Sequence, residues 1–331
     1  MTRLLLASLF GSSLALLLGF FNSLHPTFDS FAHFRVHLAL LTIMLSLILF
    51  PMGQRIVALS ALVFALGCLS SVTQVMRLPS SLATSIFPQQ KTDRATYRLL
   101  EINLRYNNPT PEKVLSLIGQ VQPDVLTLME ASPLWTQKLN ILRSAYPHRI
   151  GCHGRNPRFG VVILSRRPFS DDRPADCNLM VSFALAPVDF GGTIVNVGAV
   201  HLGWPWPFNQ AQQVSELENM LQTLDGKNTI IAGDLNATPW SVTAARIAAA
   251  GGLALVPSPG PTWIYHRLPA SLLFFGLPID NVFASSNIMV HSIERLQAVG
   301  SDHVPVLVKF SIENISKAPD GETESTTVWL Q

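Results

Sequence analysis

Charged residues are scarce in this chain of 331 residues. Asp, Glu, Lys and Arg make up 13% of the sequence, against 48% hydrophobic residues. From Arg94 onward, 18 Lys and Arg stand against 19 Asp and Glu. The strongly basic balance that accompanies high-affinity nucleic-acid binding is therefore missing. A bound metal would add local positive charge, so this shortage does not exclude a nuclease.

Cysteine is also rare, with three residues in the whole chain. Cys68 falls in an apolar run, and Cys152 and Cys177 can pair only if their part of the chain faces an oxidising compartment. Three histidines near the amino terminus lack the spacing of metal ligands, so we interpret them as interfacial or loop residues. They are His25, His33 and His37.

The hydrophobic residues are concentrated in three apolar runs, residues 4–21, 36–50 and 56–72. Lengths near 20 residues suit a membrane span, and runs that are apolar on all faces would otherwise need burial in a large protein. We therefore predict three transmembrane helices, with a tight turn at 51–55 joining the short second one to the third. A cleaved signal peptide at 1–24 would explain the first run but not the other two.

Composition divides the chain into four parts. Residues 1–77 form the predicted transmembrane region, and 78–93, rich in Pro, Ser and Gln, predict a linker. Residues 94–312 form the predicted catalytic domain, and the polar residues 313–331 predict a disordered tail. This organisation predicts an integral membrane protein of the bacterial inner (plasma) membrane.

The charges beside the apolar runs leave the orientation open. Arg3 and Arg55 indicate a cytoplasmic amino terminus. Four basic residues after the third run favour the opposite orientation, namely Arg77, Lys91, Arg94 and Arg98. Because the first apolar run resembles a signal sequence, we favour a catalytic domain on the external (periplasmic) side.

Short β-rich runs in the later part of the chain each adjoin a polar residue. Runs of this length and composition, bounded by turn residues, predict buried strands. Active sites often form at strand ends, where a rigid sheet positions the side chains, so we expect these residues to converge on one site. They are Asn103, Glu130, His201, Asp234 with Asn236, Asp280, and Asp302 with His303.

The types of these residues match metal-assisted phosphoester cleavage. A carboxylate holds a hard divalent cation, an imidazole handles a proton, and an amide orients a phosphate oxygen. The segments 233–236 (GDLN) and 301–305 (SDHVP) combine such groups. Each segment alone is also compatible with a loop cap, because Asp and Asn favour turns.

In this order, the residues resemble the endonuclease/exonuclease/phosphatase superfamily over residues 96–311. Softer features of the resemblance are Pro123-Asp124-Val125 before Glu130, the run 160–165, and Thr262-Trp263 before Asp280. The resemblance implies a DNase I-like fold of the α/β (α+β) class. This is a four-layer αββα sandwich, two β-sheets flanked by helices, which would follow the amino-terminal helical transmembrane region.

The resemblance also implies a metal site. Glu130 would be the principal ligand of a divalent ion, Mg²⁺ or alternatively Mn²⁺. Asn103 and Asp302 would lie close to the same ion.

Catalytic roles follow from the same resemblance. His303, oriented by Asp280, would be the general base or contact the phosphate. Asp234 and Asn236 would position or activate the attacking water and hold the phosphate. His201 would contact a phosphate oxygen and stabilise charge in the transition state.

The implied function is membrane-tethered phosphoester hydrolysis, with nucleic acid, a phospholipid headgroup or a small phosphate ester as substrate. A nuclease and a lipid-headgroup phosphodiesterase both remain open. The alternative of another class is a catalytically silent membrane-bound binding module, which would not need the complete polar set. Met129 and Asn281 stand where many members have Gln and His, which bears on substrate rather than on activity.

Two apolar segments lie near the predicted site, Gly203–Phe208 and Leu272–Phe275. Burial under the sheet is one interpretation, because aromatic residues are often buried. The other is a surface that faces lipid, because Trp favours the headgroup zone.

Overall fold

The computed structural model describes residues 1–73, 75–76, 95–153, 156, 160–224 and 228–313. The predicted linker, 78–93, lies wholly outside this part of the chain, and so does the predicted tail after Glu313.

Four helices form the amino-terminal region: α1 (Thr2–Leu18), α2 (Pro26–His33), α3 (Arg35–Leu49) and α4 (Arg55–Thr73). Two helical segments, Thr2–Phe21 and Arg55–Thr73, are long and apolar enough to cross a membrane. They correspond to the predicted spans 4–21 and 56–72. The predicted second span corresponds to α3, which follows α2 at a bend of 63° and counts as a third crossing only if that pair forms one span.

Packing shows how these helices run relative to one another. In the first half of α1, Leu9 packs with Leu45 and Leu49 from the end of α3. Near the end of α1, Leu16 packs with Ala39 from the start of α3. Helix α3 therefore runs antiparallel to α1. A buried hydrogen bond of 3.0 Å from the Thr42 hydroxyl to the Ser12 hydroxyl joins the same two helices.

Two six-stranded sheets form the centre of the remaining chain. The first has the order β11-β12-β1-β2-β4-β3, and the second β5-β6-β7-β8-β10-β9. The first sheet consists of β1 (Tyr97–Asn103), β2 (Val125–Met129), β3 (His148–Cys152), β4 (Val161–Ser165), β11 (Ile288–Arg295) and β12 (Val306–Ile312). The second consists of β5 (Asp176–Asn178), β6 (Phe183–Asp189), β7 (Ile194–His201), β8 (Thr229–Asp234), β9 (Ala254–Leu255) and β10 (Asp280–Ala284).

Side-chain alternation along β1 shows that the first sheet is covered on both faces. Along β1, Leu99 packs in the core between the two sheets, whereas Leu100 and Ile102 pack in a second core outside the first sheet. Because successive side chains of a strand point to opposite faces, both faces of β1 are covered. This explains why its sequence is apolar nearly throughout.

Helices cover the outer faces and complete four layers. Helices α5 (Pro111–Val121) and α6 (Pro133–Lys138) pack on the first sheet, and α7 (Gln210–Gln222) and α8 (Val242–Gly251) pack on the second. This confirms the predicted αββα sandwich of the DNase I-like type. Cys152 of β3 and Cys177 of β5 form a disulfide between the two sheets.

Helix α2 contacts the sandwich directly. The Asp29 carboxylate accepts hydrogen bonds from the backbone N–H groups of Val242 (2.9 Å) and Thr243 (3.3 Å). The Trp240 indole donates to the Ala32 carbonyl at 2.7 Å. His33 is buried, and its Nδ1 lies 3.3 Å from the Thr238 hydroxyl. His33 therefore lies in helix α2 at its contact with the sandwich and not in a loop.

Candidate active site

Strand directions bring the predicted residues to one edge of the sandwich. Strands β1 and β2 are parallel, as are β7 and β8, so their carboxyl ends carry Asn103, Glu130, His201 and Asp234 together. Strand β10 runs antiparallel to β8 and starts with Asp280 opposite Asp234. Because β12 is antiparallel to β1, the segment before it, with His303, also reaches this edge.

Asn103 connects the two sheets at this edge. Its side-chain Nδ2 donates to Asp234 Oδ2 at 2.9 Å and lies 3.5 Å from Glu130 Oε1. Its Oδ1 accepts from the Arg105 backbone N–H at 3.0 Å. An amide oxygen has two lone pairs, so one remains for a further ligand.

Glu130 occupies an unusual backbone position. Its φ of 54° lies in the left-handed region, which a residue other than glycine adopts at a cost and which often marks a functional site. Glu130 Oε2 accepts from the Tyr106 backbone N–H at 2.8 Å. Burial raises the pKa of the Glu130 carboxyl, although the Tyr106 N–H and nearby His303 act in the opposite direction. A cation beside this carboxylate would offset the cost of burying its charge.

Asp280 and His303 form a buried ion pair. His303 Nδ1 lies 2.9 Å from Asp280 Oδ2 and 3.1 Å from Oδ1, so the carboxylate fixes the imidazole orientation. Burial by itself lowers the pKa of His303, but the carboxylates of Asp280 and Asp234 outweigh it and raise that pKa to about 10. His303 is therefore an imidazolium at neutral pH.

The other imidazole is neutral. Burial, together with the charge of His303, lowers the pKa of His201 to about 3. His201 Nε2 and His303 Nε2 lie 3.6 Å and 3.5 Å from Asp234 Oδ2. Burial raises the pKa of Asp234 to about 7, which places that carboxyl near the midpoint of its titration at neutral pH.

Asn236 is held by a local turn. Its backbone N–H donates to Asp234 Oδ1 at 2.7 Å, and its φ is 48°, a region that Asn tolerates better than most residues. Its side-chain Nδ2 donates to the Leu202 carbonyl at 2.8 Å. The spacing of Asp234 and Asn236 thus forms a turn and also brings both side chains to the edge of the sheet.

A cavity of ≈ 380 Å³ opens at this edge. Six of the eight predicted site residues line it, while Asn103 and Asp280 are buried beside it. Those six are Glu130, His201, Asp234, Asn236, Asp302 and His303. Met129 packs between the sheets and Asn281 donates to two backbone carbonyls, so neither of these departures from the family pattern is a lining residue.

Two sets of side chains could hold a metal ion. Asp234, Asp280 and His303 present ligand atoms that all lie within 4.8 Å of one another. These three are already joined by hydrogen bonds and close ion pairs. Glu130 and Asp302 instead face the open cavity beside Asn103, where a hydrated ion can enter. Their oxygen atoms are the hard donors that Mg²⁺ prefers.

Sequence reasoning missed Glu101 and several residues of the cavity wall, among them Tyr106 and Tyr265. Glu101 is buried on the same face of β1 as Asn103, and the two-residue period of a strand is a signal that would have identified it. Burial raises its pKa well above the usual range, and Asp280 and Asp234 add to the effect. As a neutral acid it can donate to Asp280. Further lining residues are Tyr106, Asn156, Trp204, Trp263, Tyr265 and His266.

The four-layer sandwich and its edge of acids, amides and imidazoles define a phosphoester hydrolase. The profile of the Endonuclease/Exonuclease/phosphatase family matches residues 100–303, which is more than half of the chain. The chain belongs to this family. No curated protein sequence matches it.

Solved structures with the same fold include two bacterial relatives and one from a vertebrate. An endonuclease/exonuclease/phosphatase from Beutenbergia cavernae DSM 12333 is 21% identical with a TM-score of 0.51, over 66% of this chain and 72% of the other. The one from Bacteroides vulgatus is 18% identical with a TM-score of 0.53, over 66% and 100%. Humanized D. rerio TDP2 is 19% identical with a TM-score of 0.51, over 65% and 99%. At these identities the similarity concerns the fold.

Proposed function

We propose that this protein is a membrane-tethered, metal-dependent phosphoesterase that cleaves a phosphodiester or phosphomonoester by attack of water. The observation that supports this most directly is the composition of the cavity. Carboxylates of Glu130 and Asp302, a neutral and a charged imidazole, and the Asp234–Asn236 turn all face one space of ≈ 380 Å³. Phosphoryl transfer depends mainly on positioning and charge neutralisation, and this set supplies both.

The metal would be held by Glu130, Asp302 and the free lone pair of the Asn103 amide oxygen. The partly buried Glu130 carboxylate fits such a role, because its charge is costly without a cation nearby. When bound, Mg²⁺ or Mn²⁺ supplies positive charge that polarises the phosphoester and lowers the pKa of water.

The protein's own residues would divide the remaining work. Asp234, with a pKa of about 7, can accept a proton from the attacking water at neutral pH. The Asn236 amide would help to hold the phosphate. His303, kept protonated by Asp280, and neutral His201 would donate hydrogen bonds to phosphate oxygens, which stabilises the charge that develops there.

We also infer three membrane spans and an external catalytic domain. The sandwich contacts the end of α4 through a 3.0 Å hydrogen bond from the Ser258 N–H to the Val75 carbonyl, and α2 through Asp29. Arg3 and Arg55 lie at the opposite end of the helices and would be cytoplasmic by the positive-inside rule. The Cys152–Cys177 disulfide supports an oxidising compartment for the sandwich.

Replacing Glu130 tests the proposed chemistry. The full chain should hydrolyse bis(p-nitrophenyl) phosphate or a phosphomonoester with Mg²⁺ or Mn²⁺ and lose this activity with a chelator. Glu130→Gln keeps the shape but removes the charge, so turnover should fall by about 100-fold or more. The metal-free variant should unfold at the same or a higher temperature, because a partly buried charge is gone. Exposed Glu112→Gln is the control, and equal turnover of the Glu130 variant and parent would contradict the assignment.

A further inference from the structure

Six large aromatic side chains are exposed in two connecting segments that also contribute residues to the cavity. Trp204, Trp206 and Phe208 lie between β7 and α7, and Tyr265, Phe274 and Phe275 lie between β9 and β10. Each is between 44% and 65% exposed. We call these six residues the aromatic rim. Burial under the sheet, one interpretation of the segments 203–208 and 272–275, is therefore wrong for the five rim residues in them. An exposed apolar cluster of this kind indicates a binding surface.

The rim continues into the cavity. Trp204 and Tyr265 belong to the rim and also line the space that contains Glu130 and His303. The Trp204 ring packs edge-on against Trp263, another lining residue, with centroids 5.4 Å apart. A ligand in the cavity would therefore have apolar surface along its way out.

The rim also adjoins the membrane helices. His37, in the first turn of α3, has its Nε2 2.7 Å from the Phe275 carbonyl oxygen. The Ser30 hydroxyl of α2 donates to the Trp206 carbonyl at 3.2 Å. Both rim segments thus touch the chain where it leaves the apolar helices. The ends of membrane helices lie at the membrane–water interface, where Trp and Tyr side chains are enriched.

The charge of the chain from Arg94 onward favours lipid over nucleic acid, because 18 Lys and Arg stand against 19 Asp and Glu. Among the described residues that line the cavity there is no lysine or arginine. Nucleic-acid binding depends on such residues to neutralise successive phosphates. A single phosphoester that carries an apolar tail matches the combination of one polar cavity and an aromatic approach.

We propose that the aromatic rim lies in the headgroup zone of the membrane that this protein's own helices cross, and that the substrate is the phosphoester of a lipid headgroup in that membrane. The first part is independent of catalysis. The second rests on the proposed phosphoesterase function.

Fluorescence quenching tests the rim without any turnover. The full chain is reconstituted into phosphatidylcholine vesicles that contain lipid brominated near the headgroup. Quenching of the tryptophan emission should fall clearly in Trp206→Phe. Trp135→Phe serves as the matched control, because Trp135 is fully buried in the layer outside the first sheet and its removal should leave the quenched emission unchanged. Equal quenching in Trp206→Phe and the parent would overturn the membrane contact.

Turnover tests the substrate class. Vesicles of phosphatidylcholine, phosphatidylethanolamine, phosphatidylglycerol and sphingomyelin are compared with bis(p-nitrophenyl) phosphate and single-stranded DNA. Phe208→Ser combined with Phe274→Ser should lower headgroup release by about tenfold, because less apolar surface holds the rim at the bilayer. Turnover of the soluble ester should stay within about twofold, since neither side chain lines the cavity. Ile141→Ser, 73% exposed and outside the rim, is the control.

The outcomes separate the two proposals. Hydrolysis of the soluble ester and of DNA with no lipid cleaved would overturn the lipid substrate and leave the phosphoesterase intact. Lipid cleavage that the double substitution leaves unchanged would overturn the role of the rim. Failure on every substrate would contradict the phosphoesterase function, while the quenching result would still decide whether the rim contacts lipid.

Discussion

Buried acids surround one imidazole in the site. Glu101, Asp234 and Asp280 are all buried, and His303 lies against the last two. Only one of these acids is held firmly neutral: burial and its acidic neighbours raise the pKa of Glu101 well above the usual range. The pair that carries charge is Asp280 with His303, so its contribution to stability depends on the proton of His303.

This pair predicts a pH-dependent stability effect of Asp280→Asn in the metal-free protein. The folded pKa of His303, about 10, exceeds its ordinary value of 6.5. Stabilisation by that proton is therefore fully present below pH 6.5 and is lost as the pH rises through 10. In the Asp280→Asn variant, much of this stabilisation is absent at every pH. The difference in melting temperature between parent and variant should be largest near pH 6 and shrink toward pH 10.

Thermal unfolding at pH 6, 8 and 10 with a chelator present measures this difference. The exposed Asp171→Asn should show a small difference that does not change with pH. A difference for Asp280→Asn that is constant over this range, or grows with pH, would show that Asp280 does not hold the proton of His303.

At the residue scale, the sequence predicted the polar side chains that converge and missed those that support them. Asp234 and His303 stand out because each is a polar residue beside an apolar run. Glu101 sits inside such a run, and only its register relative to Asn103 reveals which face it occupies. The roles of the converging residues stay predictions. The proximity of Glu101 to Asp280 depends on how the two sheets stack, which no local pattern specifies.

At the element scale, α2 connects the apolar amino-terminal helices to the sandwich. Its start is fixed locally, because Pro26 suits the first helical turn and His25 Nδ1 accepts from the Thr27 N–H at 3.2 Å. The sequence reading left this segment between two spans without assigning a helix, since eight residues are too few for a clear period. Its partner, the start of α8, lies more than two hundred residues later, so the contact could not be read from the sequence.

Asp29 is the residue of α2 whose loss should matter most. Its carboxylate caps α8 by accepting from two backbone N–H groups and from the Thr243 hydroxyl at 3.1 Å. Asp29→Ala should lower the free energy of unfolding by about 1–2 kcal/mol, because buried donors lose their acceptor. Asp29→Asn should keep most of the stability of the parent, since Asn also caps helices well.

Hydrogen exchange of the detergent-solubilised full chain locates this change. Residues 238–246 should exchange faster in Asp29→Ala than in the parent, and Asp29→Asn should resemble the parent. Unchanged exchange in that segment would mean that α2 does not stabilise the start of α8.

At the scale of the whole molecule, the twelve strands that the structure describes and the helices α5 to α8 all follow Arg94. Three of the hydrophobic cores also lie in this part of the chain. Composition predicted this division because the apolar runs and the polar strand ends occupy separate parts of the chain. It did not predict how closely the two parts pack, since hydrogen bonds such as Trp240 to Ala32 join residues with no local relation.

A protein that begins at Arg94 should therefore be soluble and folded but less stable than the full chain. Removing α2 leaves Trp240 and Thr243 without partners that they have in the intact molecule. We expect a melting temperature lower by about 2–8 °C.

Turnover of bis(p-nitrophenyl) phosphate with Mg²⁺ should persist in this shortened protein, because the cavity is built from residues after Arg94. Turnover on vesicles should fall steeply, since the tether that raises local concentration is gone. The full chain, measured in the same vesicles, is the reference. An insoluble or inactive shortened protein would show that the membrane helices are part of the catalytic fold, and undiminished turnover on vesicles would show that tethering contributes nothing.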